Sequence, residues 1–278
     1  MTRDWSLYCL RRATPGTADL AVPDVSDRLL AFADALRAAD PRARWLFQRL
    51  DNGSRPYLGV WTDCDPAAGS GAAAYAALAV DRAAAEVPER YLPPIARYPD
   101  GPGRELAELL AMASSELIAE TPVPAALPVV VLHLRELVEL LPAADRPGFL
   151  FTCWQEWSSE LGPRRRVELA VESDYQAELL GTAILDPALA GERGPAWAGY
   201  LDTLRHVAGA AHTDPQTPLG YLLFDHAHLT HNRLGVTPDL EAMAARLLRA
   251  VLRNGSGALA TAHHSRQRLL DAGRGGTS

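Results

Sequence analysis

The chain has 278 residues and a mass of 30.0 kDa, enough for one large domain or two modest ones and for a sizeable buried core. Its formal net charge of -7 argues against a nucleic-acid surface, which needs a basic face to bind phosphates. All 27 basic residues are arginine, so a Walker A lysine, a pyridoxal-phosphate Schiff base and a lysine general base are excluded.

The first ninety residues predict a mixture of strands and helices. Strands are predicted over 5–12 and 44–50, and the Asn-Gly pair at 52–53 predicts a hairpin into the strand that follows. Helical spacing of apolar residues behind Ser26, a good N-cap residue, predicts a helix over 25–40. A second helix is predicted over 72–87.

From residue 102 onward the apolar periodicity is helical almost throughout. The predicted helices are 102–120, 125–141, 146–161, 164–181, 195–211, 218–234, 238–253 and 257–271. The sequence has no internal repeat and no long linker, which predicts a single domain over 1–278. Its fold class is α+β: a small N-terminal antiparallel sheet within about 1–100 and a large helical body over about 101–272.

Cysteine usage and hydropathy indicate the compartment. Cys9, Cys64 and Cys153 are odd in number and far apart, which predicts neither a disulfide framework nor a structural zinc site. The N-terminus lacks a signal-peptide pattern, and the most apolar stretch is interrupted by charges before it reaches membrane-spanning length. We therefore expect a cytoplasmic protein that binds no membrane and no nucleic acid.

A polar row stands out in the predicted helix 218–234. At 100° per residue, Tyr221, Asp225, His228 and Asn232 fall within roughly 40° on either side of one line. Such a row offers a proton donor, a carboxylate to orient an imidazole, an acid/base near neutral pH and an amide. The alternative is the ordinary solvated side of an amphipathic helix.

Three histidines in the same helix raise the question of a metal. His226, His228 and His231 are offset by two and three residues, which spreads them around the helix, whereas zinc sites on one helix use an i, i+4 pair. We therefore predict that the site holds no metal.

Four stretches resemble a known family. The segment HLTHNRLG at 228–235 is similar to H-M-x-x-N-R-L-x-G of the elimination domain of lanthipeptide dehydratases, within the thiopeptide-type bacteriocin biosynthesis family. YLPPIARYPDG at 91–101 resembles the family's Y-x-x-E-x-x-R-Y-G-G, and MASSELIAET at 112–121 matches the helix that follows. The segment 44–61 occupies the place of its F-F-x-R-Y…H-L-R-L-R hairpin. The resemblance implies the elimination-domain fold.

The chain departs from the family at two motifs. Where the hairpin has H-L-R-L-R, this chain has Tyr57-Leu58-Gly59-Val60-Trp61, and Pro94 stands in place of the second motif's glutamate. Both hairpin arginines are therefore missing. In the elimination enzymes such arginines hold the leaving glutamyl carboxylate, since a guanidinium suits a carboxylate. Their loss implies a similar scaffold with different chemistry.

One branch of the family, the thiopeptide pyridine synthases, fits this pattern. The resemblance implies a formal four-plus-two aza-cycloaddition of two dehydroalanines in a modified precursor peptide, with loss of water and leader peptide and without a cofactor. Tyr221 would donate a proton and His228, oriented by Asp225, would shuttle one, while Asn232 and Arg233 would position backbone carbonyls. The assignment of His228 comes from the family motif, and that of Tyr221 from helical spacing.

Aromatic residues suggest a substrate groove. The candidates to bind planar azole and dehydro residues by stacking are Tyr57, Trp61, Trp154 and Trp157, with Gln155 beside Trp154. The alternative for these aromatic rings is packing in the core.

Two other functions compete with the pyridine synthase. One is the glutamate-elimination half of a split dehydratase, against which the missing arginines count. The other is a non-catalytic module that binds the leader peptide.

Overall fold

The computed structural model describes residues 5–10, 22–51, 56–64, 94–121, 126–185 and 194–253. These contain strands β1 (Ser6–Leu10), β2 (Arg44–Asp51) and β3 (Pro56–Asp63), and helices α1 (Val22–Ala39), α2 (Pro102–Glu120), α3 (Leu127–Glu139), α4 (Arg146–Trp157), α5 (Pro163–Leu180), α6 (Pro195–Thr213), α7 (Leu219–Leu234) and α8 (238–253). Short 3-10 helices span Pro94–Arg97 and Gly181–Leu185. The predicted helices 72–87 and 257–271 lie outside the described residues.

The three strands form one antiparallel sheet in the order β1-β3-β2. The predicted hairpin is confirmed, with Asp51 of β2 paired to Pro56 of β3. β1 pairs with the other side of β3, where Leu7 lies opposite Trp61. β2 is therefore an edge strand, and the small N-terminal sheet with a helical body is the predicted fold class.

Contacts divide the chain into two compact units. The first comprises 1–126 and 192–237, and the second comprises 127–191 and 238–278. The sheet, α1, α2, α6 and α7 belong to the first unit, and α3, α4, α5 and α8 belong to the second. The single domain over 1–278 stays a prediction.

The core of the first unit is built on β2. Trp45, Leu46 and Phe47 are all at most 1% exposed, so both faces of this strand are covered. Phe32 of α1 packs edge-on against Trp45, with ring centroids 6.2 Å apart. α2 and α7 also contact β2, and this packing carries the residues of the candidate site described below.

Glycine-proline pairs start several helices. α2, α5 and α6 each begin at a proline that follows a glycine, at Gly101, Gly162 and Gly194. Proline suits the first turn because its fixed φ is already helical and its missing N–H would be unpaired there anyway. The predicted bounds of these helices are therefore accurate to within two residues.

The second unit contains the predicted aromatic residues of α4. Trp154 is 6% exposed, and the Arg246 guanidinium lies 5.1 Å from the centroid of its ring. Trp157 is 6% exposed as well, while Gln155 beside them is partly exposed. Both rings therefore pack in the interior of the second unit, and substrate binding by Trp154 and Gln155 stays a prediction.

None of the helices in the described ranges is both long enough and apolar enough to cross a bilayer.

Candidate active site

The C-terminal end of α7 is fastened to the free edge of β2. The Arg49 N–H donates to Asn232 Oδ1 at 2.9 Å, and Arg233 Nε donates to the Phe47 carbonyl at 2.7 Å. The Phe47 N–H donates to Ser115 Oγ of α2 at 3.2 Å. Side chains thus satisfy backbone groups that an edge strand would otherwise leave open.

Arg233 lies in the interior of the first unit. It is 1% exposed, and its second hydrogen bond goes from Nη1 to Ser114 Oγ at 3.0 Å. Burial lowers the pKa of this guanidinium to about 9, against an opposing effect of Tyr200. The expectation that Arg233 holds substrate carbonyls is corrected: it holds the carbonyl of Phe47.

Gly235 ends α7 in a conformation that favours glycine. Its φ is 78°, and the Val236 N–H returns to the His231 carbonyl at 3.0 Å, as expected where a helix ends in the left-handed region. A Cβ at Gly235 would lie 3.0 Å from Arg49 Cζ. That arginine in turn donates from Nε to the Arg233 carbonyl at 3.3 Å. The Asn-Arg-Leu-Gly sequence at 232–235 is therefore a structural clamp.

A second set of polar residues joins the earlier turns of α7 to the chain around the 3-10 helix Pro94–Arg97. We call Arg97, Tyr98, Tyr221 and Asp225 the Asp225 cluster. Asp225 is 4% exposed, and its Oδ2 accepts from Arg97 Nε at 3.0 Å and from the Tyr98 hydroxyl at 3.2 Å. Arg97 also contacts Asp225 Oδ1, so the pair is bidentate.

The Asp225 cluster reaches the surface on one side. The Arg97 side chain is 45% exposed, and Tyr221 is 51% exposed. The Tyr221 ring packs against Tyr98, with centroids 5.7 Å apart. Burial, reinforced by Tyr221, raises the pKa of Tyr98 above its ordinary range, although Arg97 acts in the opposite direction. Tyr98 therefore stays protonated as a donor, and Arg97 and Tyr221 offer donors to a bound molecule.

The other residues of the predicted polar row differ in exposure. His228 and Asn232 are partly exposed, whereas Asp225 is buried, so the row is more than the solvated side of a helix. Asp225 was predicted to orient His228; its described partners are Arg97 and Tyr98.

His226 forms an interior pair with Tyr200 of α6. The hydroxyl oxygen of Tyr200 lies 2.7 Å from His226 Nε2, and both residues are buried. Burial, and then the charges of Arg233 and His231, holds the pKa of His226 well below its ordinary value. A neutral imidazole has one donor and one acceptor nitrogen, so the tautomer of His226 decides which group donates in this pair.

Most of the chain matches a known protein family. Residues 14–252 match the family described as lantibiotic biosynthesis dehydratase C-term. The chain belongs to this family. Among curated proteins, none matches at a significant level.

Solved structures of this kind share the fold of the chain. MibB, a tRNA dependent lantibiotic dehydratase from Microbispora sp. 107891, is 18% identical with a TM-score of 0.59, over 92% of this chain and 28% of MibB. TbtD, a pyridine synthase from thiomuracin biosynthesis, is 16% identical with a TM-score of 0.60, over 92% of this chain and 100% of TbtD. TsrL is 14% identical with a TM-score of 0.53, over 90% and 94%. The chain thus spans 28% of the length of MibB.

The four stretches that resemble the dehydratase C-terminal family meet in the first unit. The clamp joins three of them, because Arg233 contacts both Phe47 of the hairpin and Ser114 of α2. The fourth joins through Arg97 and Asp225, which are 128 positions apart. The short matches in sequence therefore correspond to one connected region in space.

The hairpin that departs from the family pattern is closed by an aromatic ring. A Cβ at Gly59 would lie 2.8 Å from Leu50 Cδ1 and 2.8 Å from Trp61 Cη2. Trp61 is 0% exposed, so its predicted stacking on substrate is corrected to core packing. Tyr57 is partly exposed and remains a candidate. The two positions at which the resemblance places arginines therefore hold a covered glycine and a buried indole.

Sequence reasoning missed Arg97 and Tyr98 as site residues. They are the Arg-Tyr pair of the stretch 91–101, where the sequence analysis considered only the replacement of the family's glutamate by Pro94. Because the family motif contains the same Arg-Tyr pair, that match could have identified both residues.

The described residues contain no candidate metal site. Over the described ranges, no group of three or more histidine, cysteine, aspartate or glutamate side chains is placed to hold a metal ion. A metal-free site stays a prediction.

The buried His226 predicts a pH-dependent stability. Above pH about 6.5 His226 is neutral in both the folded and the unfolded protein. Below that pH the imidazole binds a proton in the unfolded chain but stays neutral in the folded protein, because its pKa there is lowered. The free energy of unfolding should therefore fall with pH below about 6.5, by up to ~1.4 kcal/mol per pH unit from this residue. Urea unfolding between pH 7.5 and 5.5 measures the slope.

The control separates His226 from the other histidines. His226→Gln should flatten the dependence, whereas His212→Gln, at an exposed position at the end of α6, should leave it unchanged. Equal slopes for the parent and His226→Gln would contradict the assignment.

Proposed function

We propose that this protein is a pyridine synthase of thiopeptide biosynthesis. It would join two dehydroalanines of a modified precursor peptide in a formal four-plus-two aza-cycloaddition. The observation that carries the proposal is the hairpin, where Gly59 is covered by the buried indole of Trp61. A site that releases glutamate needs cations to hold the leaving carboxylate, and these two positions supply none.

The likeness to TbtD, described as a pyridine synthase from thiomuracin biosynthesis, supports the same assignment, because the shared fold extends over 92% of this chain.

The proposed reaction moves protons and forms carbon–carbon bonds. One peptide bond tautomerises to its iminol, which gives a 2-azadiene, and this adds to the alkene of the second dehydroalanine to close a six-membered ring. Loss of water and of the leader peptide as an amide then gives the pyridine. No electrons are exchanged with an outside partner, so no redox cofactor is needed. Holding the diene and the dienophile together would supply much of the acceleration.

The Asp225 cluster suits the proton transfers. Tyr221 is half exposed on this surface, where its hydroxyl would donate to the amide oxygen or to the departing hydroxyl. Arg97 is fixed by Asp225 but keeps an exposed side, so it would hold a substrate carbonyl. His228, one turn further along α7, would move the second proton. Asp225 acts as the residue that positions Arg97.

The activity is tested with the purified protein alone. Supplied with a linear precursor that contains azoles and dehydroalanines, and with no metal or nucleotide, it should produce a macrocycle and free leader peptide amide. Mass spectrometry distinguishes the products. A chelator such as EDTA should not reduce the rate, because the proposed steps use only side chains.

The control substrate is the glutamylated precursor. If only this substrate reacts, by losing glutamate, the protein is instead the elimination half of a split dehydratase. Binding of the leader without any chemical conversion would identify a leader-binding module.

A further inference from the structure

Strand β2 carries a buried side-chain amide that the fold itself does not use. Gln48 is 5% exposed, and its Oε1 accepts no hydrogen bond from any residue in the described ranges. A glutamine amide has a carbonyl that accepts and an NH2 group that donates, so burying it without a partner costs stability. Because buried polar groups in folded proteins are normally hydrogen-bonded, this one calls for a partner from outside the fold.

The neighbours of Gln48 on the sheet are mostly apolar. Side chains alternate between the two faces of a strand, so Leu46, Gln48 and Leu50 lie on the same side of β2. The residues directly opposite them in β3 are Trp61, Gly59 and Tyr57. We call these residues together the Gln48 face. Gln48 thus places a polar amide in the middle of a mostly apolar surface.

The Gln48 face is closed at one end and open at the other. Leu46 and Trp61 are both 0% exposed, whereas Leu50 and Tyr57, at the hairpin end, are partly exposed. Gln48 lies between these two pairs, since its partner across the strands is Gly59. A bound molecule can therefore approach the amide from the hairpin end.

The charges along this side of β2 favour a neutral ligand. None of the residues of the Gln48 face is charged. Arg44 lies on the same side of the strand, four positions or about 14 Å from Gln48, and its guanidinium pairs with Glu108 of α2 at 3.2 Å. A carboxylate would find no cation beside Gln48, whereas an uncharged hydrogen-bonding group needs none.

We propose that Gln48 binds a backbone amide in the core of the precursor peptide. The proposal rests on the proposed function, which supplies a peptide as the ligand. A peptide group matches the glutamine amide, because each has a carbonyl that accepts and an N–H that donates. The last torsion of a glutamine side chain is broad and roughly two-fold, so either end of the amide can turn toward the peptide.

Tyr57 extends the proposed site at its open end. Its partly exposed ring lies opposite Leu50, two positions along β2 from Gln48. Alternate residues of an extended peptide are about 7 Å apart, which is also the spacing of alternate residues in β2. An azole stacked on Tyr57 would therefore bring a peptide group of the adjoining core residues level with Gln48.

Equilibrium binding of the linear precursor that contains azoles and dehydroalanines tests the proposal. It is measured by fluorescence anisotropy with the full chain in the Tyr221→Phe background, where the peptide should be converted slowly. Gln48→Met keeps the length of the side chain but removes the amide, and it should raise Kd at least about tenfold. Gln176→Met makes the same change at a partly exposed position of α5 and should leave Kd unchanged.

Stability without peptide distinguishes a binding role from a structural one. Because the Gln48 Oε1 has no partner among the described residues, replacing the amide by an apolar side chain should raise the midpoint of urea unfolding. A glutamine that supports the fold would show the opposite effect. Gln48→Leu, a second apolar replacement, should likewise raise the midpoint and weaken binding of the precursor.

An unchanged Kd in both Gln48 variants, or a lower unfolding midpoint in both, would overturn the proposal. The pyridine synthase assignment fails in a different way. Binding that depends on Gln48, with no macrocycle formed by the parent chain, would refute the synthase and support this site. Macrocycle formation by Gln48→Met, with the Kd of the parent, would support the synthase and overturn this site.

Discussion

Arg233→Ala is expected to lower the free energy of unfolding by about 3 kcal/mol. The Phe47 carbonyl would lose its donor at 2.7 Å, and a buried acceptor without a partner costs about 1–3 kcal/mol. The hydrogen bond from Arg233 Nη1 to Ser114 Oγ would be lost as well. Because the Arg233 side chain is only 1% exposed, its removal would also leave a cavity. Urea unfolding followed by circular dichroism measures the change.

An exposed arginine provides the matched control. Arg205 on α6 has a 61% exposed side chain whose ion pair with Asp202 lies within one helix turn, so Arg205→Ala should change stability by less than about 0.5 kcal/mol. If Arg233→Ala proves equally mild but abolishes peptide binding, then Arg233 reaches substrate as the sequence first indicated.

The helices could be predicted closely because their starts depend on local chemistry. The proline after Gly162 and the proline after Gly194 restrict the backbone at the residues where α5 and α6 begin, and no distant contact is needed. The hairpin of β2 and β3 is likewise local, since the sequence between them contains an Asn-Gly pair, which favours a reversal of the chain.

The sheet order could not be predicted, because it depends on contacts between distant residues. β1 pairs with β3 rather than with β2, which is nearer in sequence, and Leu7 therefore lies opposite Trp61. Nothing in the alternation of a strand states which neighbour it will join. This order leaves one edge of β2 without a neighbouring strand, and Asn232 and Arg233 form hydrogen bonds with the backbone groups along that edge.

The polar row of α7 was only partly predictable for the same reason. Helical spacing correctly places Tyr221 and Asp225 on one side, but it does not state which element covers that side. Arg97 ends a 3-10 helix more than a hundred residues earlier in the chain, and Tyr98 follows it directly. Asp225 thereby becomes a buried ion-pair partner instead of a solvated carboxylate.

Burial of aromatic residues was the least predictable feature. Trp61 was a candidate for substrate stacking because a flat aromatic ring can stack on planar azole and dehydro residues, yet in the structure this ring fills the space above Gly59. The sequence shows the indole of Trp61 and the missing side chain of Gly59, but only the folded chain shows that the indole occupies the space beside that glycine.

Tyr221→Phe and His228→Ala are each expected to lower kcat by about a hundred- to ten-thousand-fold with little change in KM, the range typical of a lost general acid or base. Tyr221→Phe removes one hydroxyl from a ring that is 51% exposed, so its packing against Tyr98 should persist. Tyr175→Phe is the matched control, since it removes the hydroxyl of another exposed tyrosine in the second unit and should leave kcat unchanged.

Arg97→Gln distinguishes binding from proton transfer within the same cluster. It removes the charge that pairs with Asp225 and should raise KM as well as lower kcat, because it acts on substrate and transition state alike. Kinetics of macrocycle formation, followed by mass spectrometry, measure both constants after circular dichroism shows that each variant is folded. If Tyr221→Phe and His228→Ala both turn over like the parent, the Asp225 cluster only supports the fold. The reacting groups must then be sought near the 44–61 hairpin, where Tyr57 keeps a partly exposed ring.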